Sequence, residues 1–121
     1  MNDLANRRIL VVEDETIIAA FIEDILISLG CEIVGPASKL ETAIRLAREE
    51  PCDAAFLDVT IRGGQVFPVA EILRERGIPF VLASGYGEWA LPDAFRGNPR
   101  LQKPFTSAQL EEALGAICSL H

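Results

Sequence analysis

Short apolar runs alternate with amphipathic stretches along the whole chain, and this alternation is the feature that most limits its fold. The runs are continuous and rich in β-branched residues, as expected for strands covered on both faces, and the stretches between them place apolar residues on one helical face. The order strand–helix, repeated five times, predicts an α/β fold, a doubly wound five-stranded parallel sheet with helices on both faces. The predicted strands cover residues 9–12, 32–34, 54–57, 80–83 and 101–102.

Apolar spacing and capping patterns mark the helices between these runs. The first predicted helix has its apolar face on Ile18, Phe21, Ile22, Ile25 and Leu29. Ser38 with Glu41, and Thr106 with Gln109, form capping-box patterns that predict where the second and the last helix begin. Glycines and prolines are frequent between residues 85 and 100, so any helix there is expected to be short.

The length of the chain limits the number of domains, and its net charge limits the classes of partner that it can bind. The 121 residues suit one domain, residues 1–121, and the last predicted helix reaches the end of the chain, so we expect no output domain. A net charge of -7 argues against nucleic acid as a partner, because phosphates demand clusters of Lys and Arg. No apolar stretch is long enough to span a bilayer, and residues 1–8 lack the apolar core of a signal peptide. We therefore expect a soluble, cytoplasmic protein with no membrane partner.

The cysteines point to the same compartment. Cys31, Cys52 and Cys118 are odd in number, and their spacing fits no metal site. Reduced thiols that are buried or half-buried are the expected state, which is typical of the cytoplasm.

Acidic, hydroxyl and basic side chains follow the predicted strands. Glu13 and Asp14 come after the first strand and Asp58 after the third, while Ser84 and Lys103 follow the fourth and fifth. Ligands of open parallel α/β sheets bind beyond the carboxyl ends of the strands, so we expect these side chains to meet. Three carboxylates brought together repel one another, and a hard divalent cation relieves that repulsion. Because Mg²⁺ takes oxygen ligands, the sequence predicts a magnesium site.

The same residue types suit phosphoryl transfer to a carboxylate. A carboxylate that attacks phosphorus needs little from the protein beyond positioning and charge neutralisation. Mg²⁺ can hold one phosphoryl oxygen, the ammonium of Lys103 a second and the hydroxyl of Ser84 a third. Each of these groups is present once in the predicted site.

Four short motifs give the chain a resemblance to the receiver domain of bacterial two-component response regulators, of the chemotaxis-receiver type. Each motif is weak alone, but the four occur in the right order and at the right intervals, and the match covers essentially the whole chain. The resemblance implies a flavodoxin-like sheet with strand order 2-1-3-4-5, an order borrowed from the family. The motifs are ILVVEDE at residues 9–15, FLDV at 56–59, LASG at 82–85 and KPF at 103–105.

The resemblance implies a role for each acidic residue. Asp58 is similar to the phosphoacceptor of the family. Asp14 and Asp58 would bind Mg²⁺ directly, and Glu13 would reach the ion through water. The backbone carbonyl of Thr60 matches the third protein ligand of the family.

The resemblance also implies how the phosphoryl group is held and where it comes from. Lys103 would contact the phosphoryl group, and its peptide bond to Pro104 is commonly cis in the family, a form that is accessible only before proline. Ser84 would swing towards a phosphoryl oxygen. The donor would be a histidine kinase or a histidine phosphotransfer protein, with a downstream protein as a possible target and a monomer or weak dimer as the expected state. The chain would catalyse only its own phosphotransfer and dephosphorylation, and would otherwise not be an enzyme.

The chain departs from the family pattern at two positions. Arg100 stands where the family usually has an aromatic switch residue, and Arg62 replaces a frequent proline four residues after Asp58. The stretch 79–86 is similar to a subgroup of stand-alone receivers that lack the aromatic switch. We therefore hypothesise that activation is transmitted by reordering of residues 85–100.

Two other functions compete with this interpretation. Phosphatases of the haloacid dehalogenase type also use an aspartate after a strand, but they place a second aspartate two residues later, where this chain has Thr60. A pseudo-receiver that binds a protein partner without phosphorylation is the remaining alternative. The complete set of acidic residues, Ser84 and Lys103 argues against it, because degenerate receivers tend to lose such residues.

Overall fold

A computed structural model describes residues 4–85 and 91–119 of the chain. The strands are β1 Arg8–Val12, β2 Glu32–Ala37, β3 Ala54–Asp58, β4 Thr60–Ile61, β5 Gly64–Gln65, β6 Phe80–Ser84 and β7 Arg100–Gln102. The α-helices are α1 Thr16–Ser28, α2 Leu40–Glu49, α3 Phe67–Glu75 and α4 Ser107–Ser119.

The central sheet has the predicted architecture. Its five strands lie in the order β2-β1-β3-β6-β7, and every neighbouring pair in it is parallel. Counted along the sheet alone, this is the order 2-1-3-4-5 expected from the family. The small strands β4 and β5 form a separate antiparallel hairpin directly after β3. The flavodoxin-like fold with a doubly wound parallel sheet is therefore confirmed.

Apolar side chains of the strands pack against helices on both faces of the sheet. In β1, Leu10 and Val12 join the cluster that includes residues of α2 and α3, whereas Ile9 and Val11 join the cluster that includes residues of α1 and α4. The alternation follows from the two-residue period of a strand. Burial on both faces explains why β1 and β3 are continuous apolar runs, and it leaves the polar residues at their carboxyl ends as the break in that pattern.

Strand β2 is longer than the sequence indicated. The sequence predicts a strand over residues 32–34, before the glycine–proline pair, but β2 continues to Ala37 with a register irregularity against β1. Gly35 allows this course because its φ is +99°, and a Cβ there would lie 2.8 Å from the backbone nitrogen of Ala37. The extension matters for the site, since the carbonyl of Ala37 accepts the Glu13 N–H at 3.0 Å.

One of the two predicted capping boxes is wrong and the other is confirmed. Lys39, and not Ser38, is the N-cap residue of α2, and it makes no side-chain cap hydrogen bond. The N–H of Leu40 instead donates to the carbonyl of Arg62 at 2.8 Å, so a distant loop satisfies the helix end. At α4, Thr106 and Gln109 exchange the two expected hydrogen bonds, at 3.1 and 2.8 Å.

The described part of the connection between β6 and β7 contains no α-helix. Residues 91–99 contain only a 3₁₀ turn, Asp93–Phe95, which agrees with the prediction of at most a short helix. Phe95 is buried and stacks on Phe67 with ring centroids 5.3 Å apart. Residues 86–90 lie outside the described residues, so the hypothesis that residues 85–100 reorder on activation stays a prediction. Within residues 4–85 and 91–119, no helix has the length and apolarity that crossing a membrane requires.

Candidate functional site

The acidic residues and the lysine meet at the carboxyl end of the sheet. Glu13 and Asp14 follow β1, Asp58 is the last residue of β3, and Lys103 follows β7. One carboxylate oxygen from each of the three acidic residues lies within 4.8 Å of the others. The Lys103 Nζ lies 2.9 Å from Asp58 Oδ2 and 3.1 Å from Glu13 Oε1. The structure thus places these four predicted residues in one cluster.

Burial and charge act on this cluster together. The Glu13 side chain is fully buried, and this burial raises its pKa, while a hydrogen bond from the Glu15 N–H at 3.1 Å opposes the shift. Burial alone would lower the pKa of Lys103, but its contacts with Asp58 and Glu13 outweigh that effect and raise the pKa overall. Lys103 is therefore a cation held between two carboxyl groups.

The ammonium group of Lys103 alone does not neutralise the three carboxyl groups of the cluster. Lys103 Nζ and Glu13 Oε1 form an ion pair at 3.1 Å, and among the described residues this buried oxygen has no hydrogen-bond partner. Three clustered carboxyl groups face one ammonium group. Mg²⁺ prefers hard oxygen ligands and relieves carboxylate repulsion. The donor set and the orphaned oxygen of Glu13 both fit a divalent cation.

Ser84 and Thr60 lie at the same edge of the sheet as the cluster. Ser84 ends β6, is half-buried, and accepts the backbone N–H of Lys103 on its own carbonyl at 2.9 Å. This hydrogen bond ties the positions of the serine and the lysine together. The peptide bond between Lys103 and Pro104 is cis, as the family resemblance implied. Thr60 begins the hairpin two residues after Asp58 and pairs with Gln65.

Apolar residues beside the cluster are more exposed than their sequence spacing indicated. The sequence predicts Phe21 on the apolar face of the first helix, but its side chain is 41% exposed and that of Ile17, one turn earlier, is 85% exposed. Phe21 packs against Phe105, with ring centroids 6.2 Å apart, in a groove of about 410 Å³ that Lys103 also lines. The signal for this exposure was present in the sequence, because α1 carries apolar residues around most of its circumference.

Comparison with known proteins identifies the family. Residues 9–115 match the response regulator receiver domain. The transcriptional regulatory protein PdtaR of Mycobacterium tuberculosis is 30% identical over 112 residues, which make up 89% of this chain and 55% of that relative. The chain therefore spans about half the length of this curated relative.

Two solved structures extend the comparison. The solution structure of SdrG from Sphingomonas melonis Fr1 is 42% identical with a TM-score of 0.80, covering 97% of this chain and 98% of that one. The second is the receiver domain of the sensor histidine kinase PA1611 from Pseudomonas aeruginosa, which was solved with a magnesium ion in its active-site cleft. It is 25% identical with a TM-score of 0.77, and the match covers 95% of this chain and 99% of that one. Receiver domains are signalling phosphoacceptors that bind Mg²⁺ at an acidic site and interact with histidine kinases or phosphotransfer proteins. By its fold and by the extent of these matches, the chain belongs to the response regulator receiver domain family.

Proposed function

We propose that Asp58 accepts a phosphoryl group from a histidine kinase or a histidine phosphotransfer protein, and that the chain acts as a receiver in the cytoplasm. The observation that carries this proposal is the Lys103–Asp58 hydrogen bond of 2.9 Å inside a cluster of three carboxyl groups. Asp58 is buried, yet it stands at the end of its strand, where an incoming donor meets the sheet edge.

The transfer step makes one bond and breaks one bond. A carboxylate oxygen of Asp58 attacks the phosphorus atom, and the P–N bond of a donor phosphohistidine breaks. The bonding electrons leave with the imidazole, which takes up a proton from solvent. Lys103 would neutralise charge on a phosphoryl oxygen, and the contact of its ammonium group with Asp58 supports this role. Ser84 would approach a second oxygen from the end of β6.

Asp14, Asp58 and the carbonyl of Thr60 would hold the magnesium ion, with Glu13 acting through water. When bound, the ion would supply positive charge at the phosphoryl oxygens and relieve the repulsion among the carboxylates. In a separate later step, water would attack the phosphorus, the bond to Asp58 would break to restore its carboxylate, and inorganic phosphate would leave with the protons of the water. This slow hydrolysis is the only other reaction that the proposal assigns to the chain.

The test is the mass of the intact protein after incubation with Mg²⁺ and acetyl phosphate. The wild type is expected to gain one phosphoryl group, and Asp58→Asn to gain none. Asp24→Asn is the matched control, because Asp24 is an exposed aspartate on α1 and should leave the adduct unchanged. If the wild type forms no adduct and also fails to bind beryllofluoride, the pseudo-receiver becomes the better explanation.

A further inference from the structure

A groove between helices α2 and α3 is lined by apolar and charged side chains. This α2–α3 groove has a volume of about 470 Å³, and Ile44, Pro68 and Ile72 supply its apolar side chains. Ile44 and Ile72 pack against the core, yet both stay half-buried, and Pro68 is exposed. The fold of a single chain therefore leaves apolar surface in this groove partly uncovered.

The lining residues belong to one face of each helix. Ile44 and Arg48 are four residues apart on α2, while Pro68, Ile72 and Glu75 are spaced by four and then three residues on α3. Residues with this spacing lie one above the other along a helix. Seven residues of helix rise by about 10 Å, so the groove offers a strip about two helical turns long.

Charged side chains of the α2–α3 groove lack partners in the part of the chain that the structure describes. Arg48, Glu71 and Glu75 line the groove and are exposed, and none of them makes an ion pair or a side-chain hydrogen bond with a described residue. Glu71 and Glu75 are also four residues apart on one helix, where like charges repel. Arg76 lines the groove as well, but its guanidinium donates to two backbone carbonyls near the end of α2.

These features define the partner that would cover the α2–α3 groove. It must bring apolar side chains, a cation for Glu71 and Glu75, and an anion for Arg48. The groove itself presents this combination, and in an isologous dimer one surface contacts its own copy, so that every contact occurs twice. When α3 of each copy lies in the groove of the other, the four helices pack as in a bundle. The α2 helix of one copy then lies beside α3 of the second.

We propose that two copies of this chain associate through the α2–α3 groove, with Arg48 of each copy paired to Glu71 and Glu75 of the other. The inference goes beyond the proposed function, since no residue that lines the groove belongs to the acidic cluster. A strip about 10 Å long and two helices wide is smaller than the roughly 800 Å² per partner of a stable interface. The dimer is therefore weak and is expected to form at about 0.1 mM protein and above.

The experiment measures sedimentation of the full chain, without a phosphodonor, from about 10 µM to about 1 mM protein. The wild type should pass from monomer to dimer over this range. Arg48→Glu gives the groove a third unpaired acid, and Glu71→Arg/Glu75→Arg gives it three unpaired bases, so each variant alone should stay monomeric. An equimolar mixture of the two should form a heterodimer, because both charge contacts are then attractive. Its dissociation constant should be at least about tenfold lower than that of either variant alone.

Arg45→Glu is the matched control, because Arg45 is an exposed arginine of α2 that does not line the groove. This variant should dimerise as the wild type does. A wild type that stays monomeric at about 1 mM would overturn the inference. Dimerisation that Arg48→Glu leaves intact, or that the mixture fails to restore, would overturn it too, since another surface would then be responsible. None of these results bears on phosphorylation of Asp58, which the mass measurement tests separately.

Discussion

The acidic cluster holds more negative charge than its lysine neutralises, and this imbalance predicts the sign of a stability change. With an effective dielectric constant of about 20, the Lys103–Asp58 pair at 2.9 Å attracts by about 6 kcal/mol. Asp58 also faces Glu13 and Asp14 within 4.8 Å, and each such pair repels by about 3.5 kcal/mol or more. The two repulsions exceed the one attraction by about 1 kcal/mol. Solvent screens all of these energies, but it screens both signs.

We therefore expect Asp58→Asn to raise the free energy of unfolding by about 1 kcal/mol when Mg²⁺ is removed by a chelator at low ionic strength. The asparagine removes the charge and keeps an oxygen that can accept from Lys103. In contrast, Lys103→Gln should lower the free energy of unfolding by about 2 kcal/mol, because it leaves buried carboxylates without their cation. That figure is below the usual cost of breaking a buried pair, because the lysine side chain is 20% exposed. The assay is urea denaturation followed by circular dichroism.

Magnesium should reverse the ranking of the wild type and Asp58→Asn. Binding to the folded state alone stabilises it, and the wild type has one more carboxylate for the ion than the variant. Asp24→Asn is the control for removing any aspartate charge and should change stability by less than about 0.5 kcal/mol. If Asp58→Asn is less stable than the wild type without Mg²⁺ while the control is neutral, the lysine pair outweighs the carboxylate repulsion and the reasoning is wrong.

Three further predictions concern the framework around the site. Thr106→Ala should lower the free energy of unfolding by about 1 kcal/mol in urea denaturation, because it removes the formed cap of α4. Burial raises the pKa of Cys31 from 9.0 to about 11, so the folded state keeps a proton that the unfolded state loses between these values. Stability should therefore fall as pH rises through that window, and Cys31→Ala should reduce the slope. Arg74 donates to the carbonyl of Ala94 at 3.2 Å, and its guanidinium lies 4.4 Å from the centre of the Phe95 ring. Arg74→Met should therefore speed amide hydrogen exchange in residues 91–99. Arg48→Met is the control and should leave this exchange unchanged.

The sheet and most of the site could be predicted from the sequence because their signals are local. A strand buried on both faces must be a short continuous apolar run, which locates β1, β3 and β6 without any knowledge of the fold. The carboxyl ends of parallel strands lie together, so residues that follow separate strands were expected to meet. Asp58 and Lys103 are 45 positions apart, yet their contact at 2.9 Å follows from that rule.

What could not be predicted depends on partners that are distant in the sequence. The Ser38 capping pattern is present, but α2 begins at Leu40 without a side-chain cap. The carbonyl of Arg62 accepts the N–H of Leu40 instead. The glycine–proline pair in β2 is a stop signal by propensity, and it is overridden because Ala37 rejoins β1 opposite Val12. In both cases a hydrogen bond to a residue distant in the sequence determines where the strand ends or the helix begins.

Both departures involve a backbone hydrogen bond made by a residue that belongs to the acidic cluster or follows it closely in the sequence. The extended β2 holds Glu13 through the carbonyl of Ala37, and the uncapped α2 holds the hairpin through the carbonyl of Arg62. Both hydrogen bonds are made by backbone atoms, so they do not depend on which side chains these positions carry. Position 62 therefore tolerates an arginine where the family often has a proline, because its carbonyl still accepts the N–H of Leu40 while the side-chain charge changes. Deviations from local sequence rules are expected to gather at functional sites, and both departures here involve residues close in the sequence to the acidic cluster.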